Sequence, residues 1–455
     1  MIQTPYISEG FGKTTYDNLT TIHPLGLGAL VIGVIWTAVA RRERAWLPIL
    51  LMACFVSTSQ RIVVATLDFN FIRVMLLAGV ARIISRKEYL RLKLTPLDKL
   101  VLAWTLTSAV ISTFRIGTFS AMIQKSGTAY DALGLYAVAR VWLRSAGDLR
   151  ALSRALVLIA GISAASFLRE HLTGRNLFAI FGGVSEFTTI REGRLRCQGP
   201  FAHSILAGTF WVGFLPLVAV LMGDPKKRIQ GAVGLFSITT IAIFCSSSTP
   251  LLGLIASAAF GSLWLVRSHA GFLRWSVVAI LVILHMVMNG PVWSLIAKVG
   301  VVGGSTGYHR YALVDAFIKN WTDWFLLGAN GTAHWGYFLF DLANQFVREG
   351  VEGGLLTLSL FVMILVTAFR SVGHHTNQRA TRIEAITMWA VGSAIAAHCV
   401  MFIGISISHS NTNMLVFLWL LAATQCRWPR PSKTNLNQRP AHHTTIPSPS
   451  SDHSL

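Results

Sequence analysis

The feature that most limits what this chain can become is a series of apolar runs. Most are about 15–22 residues long, the length a helix needs to cross a bilayer. They fall at roughly 23–40, 46–58, 70–85, 98–113, 127–143, 152–168, 201–222, 229–246, 250–266, 275–289, 350–369, 384–405 and 413–426. In lipid the backbone must satisfy its own hydrogen bonds, so only helices and closed barrels can span. A barrel would show short stretches of alternating polarity, and these runs do not alternate. Of the 455 residues 53% are hydrophobic and 13% charged, with a mean hydropathy of +0.56. So little charge could not cover a water-soluble body of this size. The expected fold is an all-α polytopic membrane protein with about 11–13 transmembrane helices. Residues 1–426 would form a single helical domain.

A net charge of +20 invites a nucleic-acid partner, but the basic residues do not collect into a patch. They sit in alternate short loops: Arg41, Arg42 and Arg44; Arg86, Lys87, Arg91 and Lys93; Arg144, Arg150 and Arg154; Lys226, Lys227 and Arg228; Arg267 and Arg274; Arg370, Arg379 and Arg382. That pattern marks the cytoplasmic side. All these loops share one side only if every run crosses once, which leaves the N-terminus outside and the C-terminus inside. The segment 427–455, rich in Pro, Ser, Thr, Asn and His, is expected to be a disordered cytoplasmic tail. The N-terminus shows no basic-then-apolar leader with a cleavage site. Five cysteines (Cys54, Cys197, Cys245, Cys399, Cys426) occur as singlets, which suggests no disulfide framework and no metal knuckle. The pairs His374-His375 and His442-His443 lack further ligands nearby, so no metal is expected.

Two segments on the outer side break the short-loop rule, at about 169–200 and 290–349; loops of this length in a compact protein are usually functional. The first ends REGRLRCQGPFAHS. Arg191, Arg194 and Arg196 stand on the side where topology disfavours arginine. Their planar forks suit phosphate oxygens, although Glu186 and Glu192 or lipid headgroups could also take them. His203 falls inside an apolar run, where a ring nitrogen needs a partner or a cavity.

In the second segment Leu313, Phe317, Trp321, Trp324 and Phe325 recur at helical spacing, as in an amphipathic helix along the membrane surface. His309, Arg310 and Asp315 lie near its start, with Arg310 and Asp315 able to reach each other or a ligand. His334, Asp341, Asn344 and Gln345 follow. Asp341 and Gln345, four apart, would share a helix face. A desolvated His or Asp here is a candidate general base. No Walker loop, GxSxG, HExxH or outer DxD pair is present. Acidic residues are not expected in mid-span, where many ion-coupled carriers have them, and Asp68 and Arg73 could pair at the edge of the third run. The two halves show no symmetry of the kind transporters carry.

On three stretches the chain resembles the bacterial O-antigen polymerase and O-antigen ligase superfamily of surface-polysaccharide assembly. These are RLRCQGPFAHSILAGTFWVGFLPL, the large late outer loop, and LANQFVREGVEGGLLTLSLF. The resemblance implies a GT-C-like, metal-independent glycosyltransferase without cofactors in the bacterial inner membrane. Its donor would be a polyprenyl-diphosphate-linked glycan, and its surroundings membrane lipids and other polysaccharide-assembly proteins. Carried onto this chain, the diphosphate would be held by Arg194 and Arg196, with Arg310 as a further candidate; Arg191, His203, Asp315, Asn344 and Gln345 would contact substrate. The ligase branch carries His-Asn where this chain has Ala343-Asn344. The base is then sought first at His334, then at Asp341 or His309. Polymerisation of repeat units is the first expectation, transfer of a finished glycan the second, and transport of lipid-linked sugars the third.

Overall fold

The computed structural model describes residues 20–298, 306–377, 381–408 and 410–426. The leader and tail expectations, and the pair His442-His443, lie outside them. Each of the thirteen apolar runs falls on a helix. In chain order these are α1 (Pro24–Val39), α2 (Leu47–Phe55), α3 (Phe71–Ser85), α4 (Pro96–Ile116), α5 (Phe119–Trp142), α6 (Ala146–Thr173), α7 (Ser204–Ala219), α8 (Arg228–Phe244), α9 (Ser248–Ser262) and α10 (Ala270–Val287). Three short helices, α11 (Leu295–Lys298), α12 (Thr306–Lys319) and α13 (Trp321–Trp324), lie in the second outer segment. The chain closes with α14 (Gln345–Asn377), α15 (Arg382–Met401) and α16 (Asn411–Ala423). The protein is therefore an all-helical polytopic membrane protein. Among the described residues six helices are long and apolar enough to cross, α7 and α9 together with the turns that continue them to Gly223 and His269, fewer than the runs suggest. A seventh joins them if α10 is taken with the segment beyond its 95° bend; α1, α8 and α16 are apolar but shorter.

The helices run between two ends. At one end Arg42 donates to the carbonyl of Trp142 at 2.7 Å and Arg82 pairs with Glu88 at 2.9 Å. Arg140 pairs there with Asp98 at 2.9 Å, and Cys426 donates to the carbonyl of Leu143. Asp98 and Asp148 also close capping boxes with Thr95 and Ser145, which start α4 and α6. At the other end Thr21, just before α1, bridges to Arg61. There Gln60, fully buried, accepts from the backbone of His23 and donates to the carbonyl of Phe181. The basic loops and the last described residue thus share one end, and the described parts of the two long connecting segments gather at the other.

The nine residues of α2 rise only about 13 Å. A turn at residues 57–60, closed by the Gln60 N–H on the Ser57 carbonyl, links α2 to a hairpin of β1 (Arg61–Val64) and β2 (Leu67–Asn70) that leads into α3. This hairpin turns through Ala65 and Thr66 at positive φ, without the Asn-Gly or Asp-Gly that usually signals such a turn.

An ion pair joins two helices inside the bundle. Arg73 forms a fork with Asp131 at 2.9 and 2.8 Å, joining α3 to α5. The expected partner, Asp68, instead holds Arg61 at 3.3 Å. Because α5 starts well before its apolar run, Asp131 stands in mid-helix and 2% exposed. This corrects the expectation that no acidic residue lies there.

The long helix α14 breaks at Gly353 and Gly354, the latter at φ +71° with no room for a side chain against the carbonyl of Leu326. The carbonyls freed at the break find partners. That of Val351 accepts from Arg115 and from the Ala329 backbone, that of Glu352 from Ser112, and that of Glu349 from Thr357. This is how irregular backbone is tolerated at membrane depth.

Removing one partner of a buried ion pair strands the other. Asp131→Ala is expected to destabilise the protein by about 3–5 kcal/mol, whereas replacing both partners (Arg73→Met with Asp131→Leu) recovers most of the loss. Thermal unfolding in detergent distinguishes the two outcomes.

Candidate functional site

The first outer segment is folded down by a carboxylate in the last turn of α6. Glu170, 1% exposed, accepts from Thr188 Oγ1 at 3.1 Å and from the backbone N–H groups of Gln198 and Gly199 at 3.0 and 2.9 Å. Asn176 donates to the carbonyl of Gly199, and the N–H of Cys197 donates to the carbonyl of Phe244 at the end of α8. Between these anchors β3 (Ile190–Arg191) and β4 (Arg194–Leu195) form a short hairpin turned by Glu192 and Gly193 at positive φ. Arg191 and Arg194 face each other across it, both exposed. Glu186 is taken by Arg175 at 3.5 Å. Arg196, just beyond β4, is half-buried, and its Nε is covered with no hydrogen-bond partner among the described residues. Burial first, and the charge of Arg191 second, push its guanidinium below the ordinary arginine value.

The second segment places Arg310 beside the same turn of the bundle. From α12, 7% exposed, it donates to Thr249 Oγ1 at 2.7 Å. Gly404 lets it in, since a Cβ there would stand 2.7 Å from both Arg310 Nε and Thr249 Oγ1. Among the described residues no carboxylate pairs with Arg310, and burial lowers its guanidinium below the ordinary value. Thr249 lies in the first turn of α9, whose N-cap Ser247 makes no side-chain capping bond. The positive end of that helix dipole repels a cation and favours an anion. Arg196 is within charge reach of Cys245, at the other end of the same turn. The start of α7 adjoins it, because Gly208 packs against Pro250 and Cys245. Two guanidinium groups from segments far apart in sequence therefore flank the residues 245–249. His203 is exposed as the N-cap of α7.

Other candidates separate into groups. His309 is half-buried with a covered Nε2 that has no partner among the described residues, and it lies within charge reach of Asp341. Burial raises the Asp341 carboxyl, against the pull of His309 and Arg348. His334 belongs elsewhere: it is exposed, bonded to Asp323 at 2.8 Å, in a shallow cleft with Arg115, Gly328 and Asn330. Asp315 does not meet Arg310; it accepts from Trp293 at 3.1 Å and pairs with Lys319 at 2.7 Å.

Asn344 and Gln345 are clamps between α14 and the α15–α16 connection. Asn344 caps α14 through Val347 and donates to the carbonyl of Ile403. Gln345 accepts from Ser406 and from the backbone of Ile407, and donates to Glu349 at 2.6 Å. Asp341 precedes α14, so it shares no helix face with Gln345. The expected surface helix breaks at Asn320. Leu313 and Trp324 turn inward, with Phe317 stacked on Trp324 at 4.0 Å, while Trp321 and Phe325 stay exposed.

Sequence reasoning missed Glu170, Thr249 and Gly404. None of these stands in a motif; only a carboxylate at the end of an apolar run hinted at Glu170. No protein-family model matches the chain, and no curated protein does.

The site predicts anion binding. Inorganic pyrophosphate at about ten times its Kd should raise the melting temperature by about 1–3 °C. Arg310→Ala and Gly404→Ala, which removes and displaces the guanidinium respectively, should both abolish the shift in a thermal-shift titration.

Proposed function

We propose that this chain is a glycosyltransferase that polymerises polyprenyl-diphosphate-linked repeat units of a surface polysaccharide. In this reading thirteen helical crossings leave the N-terminus and both long segments outside the cytoplasm of a bacterial inner membrane, with the C-terminus inside. The end that gathers the basic loops is then cytoplasmic.

One observation carries the reading. Arg310 is buried at the positive end of α9 without a carboxylate among the described residues. Arg196 flanks the same turn, its Nε without a hydrogen-bond partner among the described residues. Two fixed cations beside the positive end of a helix are what a diphosphate needs as it leaves. In the transfer, the bond from the anomeric carbon to the diphosphate oxygen breaks. A bond to the acceptor oxygen forms, and the acceptor proton passes to a base. His309, next to Arg310 in the chain and within charge reach of Asp341, is better suited to that role than the exposed His334.

A carrier for lipid-linked sugars is the second reading, since Asp131 and Glu349 lie deep between helices. Both are held, Asp131 by Arg73 and Glu349 by Trp104 and Gln345. Such fixed pairs suit a rigid bundle better than an alternating one.

In the native host, Arg196→Ala and Arg310→Ala should each lower glycan elongation about 10²–10³-fold at unchanged protein level. His309→Ala should stop it and His334→Ala should not. Normal glycan length in both arginine variants would remove the proposed reaction. A deletion strain that displays single repeat units supports a polymerase; one that accumulates free lipid-linked polymer indicates a ligase.

A further inference from the structure

Cys197 and Cys245 come from different outer connections, yet their backbones touch. The N–H of Cys197 donates at 3.1 Å to the carbonyl of Phe244, the residue before Cys245. Standard bond lengths then hold the two α-carbons within about 7 Å of each other, close to the separation a disulfide spans. Both side chains are fully buried, and their sulfurs lie within charge reach of one another. Cys426 stands at the opposite end of the bundle, Cys54 within α2 and Cys399 within α15. In the structure both Cys197 and Cys245 are thiols.

We propose that Cys197 and Cys245 are joined by a disulfide in the mature protein, which fastens the segment bearing Arg196 to the α8–α9 turn. The inference rests on the reading that this end is extracytoplasmic, where thiols meet oxidants. The oxidant is a disulfide-bearing thiol oxidoreductase of that compartment. One cysteine thiolate attacks its disulfide, forming a mixed disulfide and releasing one oxidoreductase thiolate. The second cysteine thiolate then attacks the first cysteine's sulfur and releases the other. Two electrons pass to the oxidoreductase, which leaves as a dithiol with the two protons. In the packed protein burial pushes the Cys197 thiol up to about 12, so exchange takes place before the segment folds down. The bond holds Arg196, one residue away, against the turn that Arg310 flanks from the other side.

Differential alkylation tests this on the full chain, extracted from its own membrane. The protein is denatured with iodoacetamide and no reductant, then reduced, labelled with N-ethylmaleimide and mapped by mass spectrometry. The expected result is N-ethylmaleimide on Cys197 and Cys245 and iodoacetamide on Cys54, Cys399 and Cys426. In Cys197→Ser, iodoacetamide should move to Cys245. Iodoacetamide on both Cys197 and Cys245 of the unmodified chain overturns the disulfide. If Arg196→Ala and Arg310→Ala still suppress glycan elongation in that case, the transferase reading stands without it.

Discussion

Hydrocarbon offers no hydrogen bonds, so every buried polar group in this bundle must find its partner within the protein. Most of the structure follows from that constraint. Gln60 satisfies the His23 N–H at the start of α1 and the carbonyl of Phe181. Arg115, Ser112 and Thr357 take up the carbonyls released where α14 breaks at its two glycines. Arg73 and Asp131 neutralise each other between α3 and α5. Glu349 sits between Trp104 and Gln345, and Gln345 in turn holds the connection that leads to α16. Several of these bonds tie helices far apart in sequence, so satisfying the backbone also sets the packing.

Two guanidinium groups, the buried Arg310 and the half-buried Arg196, lie at one turn of the bundle. Arg310 reaches a threonine hydroxyl but no carboxylate among the described residues, and Arg196 keeps a covered Nε without a partner. A guanidinium at the positive end of a helix dipole raises the local potential further. The arrangement favours an anion with several oxygens in place. Gly404 and Gly208 are the small residues that let Arg310 and the α7 start approach α9 so closely. The anion site therefore depends on packing as much as on charge.

The apolar runs made the helical class legible, and the two outer segments could be told apart by length alone. The arginines were legible as residue types in an unusual place. Their contacts were not. Asn344 and Gln345 read as ligands and turned out to be clamps, because the connection that uses their hydrogen bonds lies about sixty residues further along. His334 and His309 look alike in the chain; one is bonded to Asp323 at the surface and the other is covered beside Asp341. The β1–β2 hairpin escaped notice because Ala65 and Thr66 carry none of the usual turn chemistry.

Hydrophobic length and charge asymmetry are local properties, readable one window at a time, and they were enough to establish a membrane-spanning helical chain with its basic loops on one side. Which polar group answers which is a property of distance in space. Helix starts also shift when a polar run continues an apolar one, as α5 does in bringing Asp131 to mid-helix. Convergence of Arg196 and Arg310 on one turn depends on Glu170 folding the first segment down and on Gly404 leaving room in the second. Neither contact has any signature in spacing, because each joins elements that only packing brings together.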